Sequence, residues 1–157
     1  MTCYDYFYQH LLPLDRASEG KWDVFISAWD GSERVQRALE LARAALKVSL
    51  VHPEYGLPHT SVPGGGTFTL QGDEAEGILA FVAHLEDLGV DLSSVRLGID
   101  ITGMIRPHIA LLTRMVRAHG VQKFDVVYSE PVSYADRENT KFTSGDVIEV
   151  REIIGFE

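Results

Sequence analysis

A chain of 157 residues, 45% hydrophobic and 24% charged, has the size and composition of one globular domain with a real core. Its net charge of -9 argues against neutralising a nucleic-acid backbone or an anionic membrane surface. No apolar run reaches the roughly 18 residues a membrane span needs, Cys3 has no second cysteine to pair with, and Met1 to His10 lacks a basic and apolar leader, so the expected location is the cytoplasm.

Residues 1 to 21 read as an aromatic arm and a polar connector. Tyr4, Tyr6, Phe7 and Tyr8 crowd ahead of Leu11-Leu12-Pro13, a pattern that suits docking on the body of the domain or contact with a partner. Trp22 to Ser27 is expected to form the first strand, because the run Val24-Phe25-Ile26 suits burial on both faces. Ala28-Trp29-Asp30-Gly31 then turns, and Ser32 can cap a helix. Apolar residues at helical spacing follow at Val35, Ala38, Leu39, Ala42, Ala45 and Leu46, with a second strand at Val48 to Val51.

The connection from His52 to Gly72 contains Pro58, Pro63 and Gly64-Gly65-Gly66. Its length suits a lid over a site at the end of the second strand, or a plain loop. Thr67 to Leu70 alternates and can add a short strand. The glycine run is no Walker loop, because no Gly-Lys-Ser/Thr follows it. Asp73 and Glu76 have capping-box spacing before a helix with the stripe Ala75, Ile78, Leu79, Val82, Leu85 and Leu88, which Gly89 ends.

Residues 95 to 130 read as strand, helix, strand. Val95 to Ile101 is the first strand and Met104 to His119 the helix, with the stripe Ile105, Ile109, Leu112, Met115 and Val116. Lys123 to Tyr128 is the second strand. A connection of this size joins parallel strands. After a polar stretch, Val147 to Ile154 reads as a last strand, and because the chain stops three residues later, truncation of a longer protein stays open. The expected fold is one α/β domain, a three-layer Rossmann- or flavodoxin-like sandwich with a mostly parallel sheet of about five strands.

The segment Trp22-Asp23-Val24-Phe25-Ile26-Ser27, followed by a polar turn, a helix and a strand, resembles the opening of a Toll/interleukin-1 receptor (TIR) domain. The match covers about residues 22 to 34, and the βα alternation extends loosely to about residue 130. The resemblance implies a flavodoxin-like fold that binds NAD or a related nucleotide as ligand or substrate. It also implies a place in bacterial signalling or antiviral defence. TIR enzymes typically carry a catalytic Glu in the helix after the third strand, within a Trp-Cys-x-x-Glu-Leu-like segment. The comparable stretch here, Met104-Ile105-Arg106-Pro107-His108-Ile109-Ala110-Leu111, holds no Glu.

Asp100, Thr102, Ser129 and Glu130 fall at the carboxyl ends of expected parallel strands, where open α/β sheets bind small molecules. Asp100 and Glu130 are the candidate catalytic pair, able to hold ribose hydroxyls or to work as acid and base. In an enzyme they stand in for the missing helical Glu. Arg106, in the first turn of its helix, can fork onto a phosphate or pair with one of these carboxylates. In the TIR-like picture Ser27, Trp29, Asp30 and Ser32 contact the nucleotide, with Trp29 stacking on a base or simply packed. His52, His59 and His108 are scattered, no zinc-ligand spacing occurs, and no cofactor is assigned beyond that nucleotide. The competing readings are a non-catalytic assembly module, joined to a protein partner or to its own copies, and the sensor half of a larger protein.

Overall fold

Among the described residues, five parallel strands form one sheet, ordered across it as Gly66–Thr69, Arg43–Val51, Lys21–Trp29, Leu97–Asp100 and Phe124–Val127. The computed structural model describes residues 21–57, 62 and 66–130. Along the chain these are β1 (Lys21–Trp29), α1 (Glu33–Leu41), β2 (Arg43–Val51), a 3-10 turn (Pro53–Tyr55), β3 (Gly66–Thr69), α2 (Glu74–Asp87), β4 (Leu97–Asp100), α3 (Arg106–Ala118) and β5 (Phe124–Val127). The aromatic arm, the middle of the long connection and the strand expected at Val147 to Ile154 lie outside the described residues. Among those described, no helix is long and apolar enough to cross a membrane.

β1 sits at the centre because it is apolar on both faces. Val24, Ile26 and Ala28 pack with Ile78, Phe81, Val82 and Leu85 of α2 and Leu111, Leu112 and Val116 of α3. Phe25 and Trp29 pack instead with Trp22 and with Val35 and Leu39 of α1. Alternate residues of one strand point to opposite faces, so β1 feeds two cores.

The elements follow the expected order, with local differences, the first being that β1 runs on through Ala28 and Trp29, residues expected in the turn. α1 ends at Leu41, and Ala45 and Leu46 belong to β2, which pairs with β1 from Lys21↔Arg43 to Trp29↔Val51. Strand pairing along that whole length overrides the helical spacing. Lys47 of β2 then closes α1 by donating from Nζ to the Leu39 carbonyl at 2.7 Å. In α2 the capping box forms as expected, with Asp73 accepting from the Glu76 N–H at 2.8 Å. Its inward stripe is rotated, however: Phe81 is buried while Leu79 and Leu88 are half exposed. In α3 the inward face includes His108, which is buried beside Leu111 and Leu112.

From β1 the chain moves outward through β2 to β3, and α2 then carries it back across to β4 on the other side of β1. The crevice between the carboxyl ends of β1 and β4 is therefore a topological switch point. With β3 counted, the order matches doubly wound dinucleotide-binding sheets; without that short edge strand, it matches flavodoxin-like sheets. The switch point is the same in both.

Candidate functional site

A chain of hydrogen bonds crosses the switch point. Ser27, near the end of β1, donates from Oγ to Asp100 Oδ2 at 2.9 Å. Asp100 Oδ1 accepts from the Thr102 N–H at 3.0 Å and from the Thr102 hydroxyl at 2.5 Å. The same hydroxyl accepts from the Ser129 N–H at 2.9 Å, and the Ser129 carbonyl accepts from Arg34 Nη1 at 2.9 Å. These contacts join β1, the loop after β4, the segment after β5 and the first turn of α1.

Asp100 is fully buried. Burial pushes its carboxyl above the usual carboxylate range, the hydrogen bonds from Thr102 and Ser27 pull it back down, and the nearby Asp30 charge pushes it up. Three hydrogen bonds from Ser27 and Thr102 hold the carboxylate, which ties the loops together as a positioning group. The register pairs Asp100 with Val127, which leaves Glu130 three residues beyond that rung, exposed to solvent.

The loop after β1 shapes the other wall. Asp30 Oδ1 accepts from the Ser32 N–H at 2.8 Å, and Ser32 Oγ accepts from the Val35 N–H at 3.4 Å as the N-cap of α1. Gly103 passes directly against this loop: a Cβ there would collide with the Ala28 carbonyl and lie 3.1 Å from Asp30 Cβ. The Gly103 carbonyl accepts from the Tyr55 hydroxyl at 3.0 Å. Burial, then the Asp30 and Glu54 charges, push the Tyr55 phenol above its ordinary value.

The structure brings Ser27, Asp30, Ser32, Asp100, Thr102 and Ser129 together here. Trp29 does not offer a ring for stacking: it is 5% exposed and packed in the core with Trp22 and Val35. Arg106 is exposed at the start of α3 and, among the described residues, makes no ion pair with Asp100 or Glu130. The Ser129 hydroxyl is buried without a partner among the described residues. Sequence reasoning missed Arg34 and Tyr55. Arg34 lies two residues after the cap Ser32, so its place in a helix's first turn was available as a signal. Tyr55 carried none, because its role depends on a loop folding back over β4.

Beside Tyr55 lies a second feature. His52 and His108 are both buried, their ring centroids 4.7 Å apart, and Tyr55 meets His52 edge-on at 5.5 Å. Burial, then the neighbouring His108, lowers His52 from 6.5 to about 4. Neither nitrogen of His52 has a hydrogen-bond partner among the described residues. His108 also lines a cavity of about 350 Å³, walled by the 3-10 turn at Pro53 and Glu54 and by Leu70 to Glu74. No protein-family model and no curated protein matches the chain, so the functional reading rests on this geometry.

Proposed function

We propose that this domain binds a nucleotide in the crevice between β1 and β4, with NAD and its derivatives as the first ligands to test. The observation that carries the reading is the hydrogen-bond chain from Ser27 through Asp100, Thr102 and Ser129 to Arg34 at the switch point. Open parallel sheets bind small molecules at such points. The chain orders three loops in advance, so a ligand does not bear that entropic cost. From the first turn of α1, Arg34 brings a guanidinium to Ser129 at the crevice, where its fork of donors suits an anionic group. The TIR-like opening strand supports NAD as the first choice, and bacterial signalling or antiviral defence as the setting.

Binding is favoured over turnover because Asp100 is buried and committed to three hydrogen bonds within the domain. If the domain is an enzyme, the exposed Glu130 is the carboxylate that would act. A second reading, an assembly module, is favoured by the half-exposed Val126 and Tyr128 at the β5 edge and by Leu79 and Leu88 on α2.

Isothermal titration and product analysis with NAD, ATP and ADP-ribose separate these readings. Binding that Arg34→Ala weakens supports the nucleotide site. Cleavage that is lost in Glu130→Gln makes the domain an enzyme and assigns the carboxylate. Neither heat nor product with any of the three removes the nucleotide reading and leaves assembly.

A further inference from the structure

The cavity beside the 3-10 turn is a separate space from the switch-point crevice. It opens one and two strands further along, at the carboxyl ends of β2 and β3. Its volume of about 350 Å³ falls within the range that encloses small ligands. The wall is mixed. Leu70 and Pro53 are apolar, Gln71 and Gly72 contribute the segment that leads into α2, and Glu54, Glu74 and His108 are polar. Glu74 and His108 are themselves 8% and 3% exposed, so two polar side chains line this space from buried positions. Tyr55 follows Glu54 of the cavity wall and donates to the Gly103 carbonyl beside the crevice, so it links the two spaces.

We propose that this cavity is a nucleoside subsite, which takes the base and sugar of a ligand whose charged end lies in the crevice. The inference rests on the nucleotide reading of the crevice and deepens it. Its argument is charge and shape. A phosphate is repelled by Glu54, Asp73 and Glu74, and among the described residues no Lys or Arg lines the space. Carboxylates are instead good acceptors for sugar hydroxyls and exocyclic amines. The apolar wall of Leu70 and Pro53 suits the face of a base. In the crevice, Arg34 beside Ser129 supplies a positive charge. A molecule with a neutral, hydroxyl-rich end and an anionic end thus meets a complementary group at each position.

The test is titration of adenosine and of NAD into the wild type, Glu54→Gln, Gln71→Trp and Arg34→Ala. Glu54 and Gln71 are exposed, so neither change empties the core. Gln71→Trp fills the cavity. Adenosine is expected to bind the wild type, to weaken about tenfold or more in both cavity variants, and to be unchanged in Arg34→Ala. NAD is expected to weaken in all three variants, and inorganic phosphate not to displace adenosine. If NAD binds and depends on Arg34 while both cavity variants leave its affinity unchanged, the subsite is overturned and the crevice reading stands. If adenosine binds with equal affinity to wild type and cavity variants, the subsite is again overturned. If neither ligand binds, the nucleotide reading itself fails, and the subsite with it.

Discussion

Asp100 and His52 are two buried titratable groups with opposite effects on stability as pH changes. Burial raises Asp100 in the folded state, so that state holds more protons than the unfolded one. Its contribution is therefore full below the unfolded value and is lost as pH rises through the folded value. His52 is lowered to about 4, so the unfolded chain holds the extra proton, and stability is lost as pH falls from 6.5 toward 4. Neither His52 nitrogen has a partner among the described residues, so His52→Phe sacrifices no hydrogen bond seen there. Urea unfolding at pH 7 and pH 5 should show the wild type losing about 2 kcal/mol more than His52→Phe over that interval. Equal losses in the two proteins would mean that His52 titrates normally. At Asp100 the expected effect is structural. Asp100→Ala strands the Ser27 hydroxyl and the Thr102 N–H, and should cost about 3 kcal/mol in urea unfolding at pH 7. A change below about 1 kcal/mol would show that the network does not order these loops.

Gly103 shows how tightly the loop between β4 and α3 is seated. A Cβ at that position would meet the Ala28 carbonyl, which is backbone and cannot rotate away, as well as Val35 and Asp30. Gly103→Ala should therefore push the loop off β1, lower stability by about 2–3 kcal/mol and weaken any ligand held by Thr102. Thermal unfolding and titration on the same variant check both effects. In the sequence Gly103 falls between an expected strand and an expected helix, which does not show what it touches. The same limit explains the other differences. α2 was legible from its cap because a capping box is local chemistry. The start of β2 was not, because Ala44, Leu46 and Val48 fit both a strand and the tail of a helix, and only pairing with β1 decides between them. The placing of Asp100, Thr102 and Ser129 at strand ends was legible once the strands were found. Their joining into one network was not, since it depends on which strands are neighbours. His108 looked isolated in sequence, and it meets His52 only because α3 packs over the end of β2.

At the scale of the whole sheet, the two ends have different work. The carboxyl end holds the polar network. The amino end holds a staple in which Trp22 Nε1 donates to Asp125 Oδ2 at 2.8 Å and Arg96 Nη2 meets the same oxygen at 3.2 Å. Asp23 also accepts from the Arg96 N–H at 2.7 Å, so β1, β4 and β5 are tied together there. The Arg96–Asp125 pair is half exposed and contributes little by itself, whereas the buried Trp22 ring relies on Asp125 to satisfy its N–H. Asp125→Ala is thus expected to cost about 1–2 kcal/mol of stability and to leave ligand affinity unchanged. Thr102→Val keeps the side-chain shape but removes the hydroxyl that serves both Asp100 and Ser129. It should cost a similar amount of stability and, in addition, weaken nucleotide binding about tenfold or more. Paired urea unfolding and titration of the two variants tests whether function is confined to one end of the sheet. Equal losses of affinity would mean that binding follows global stability rather than the switch-point network. A loss in Thr102→Val alone would tie binding to the carboxyl end, where the crossing of the chain from β3 back to β4 opens the crevice.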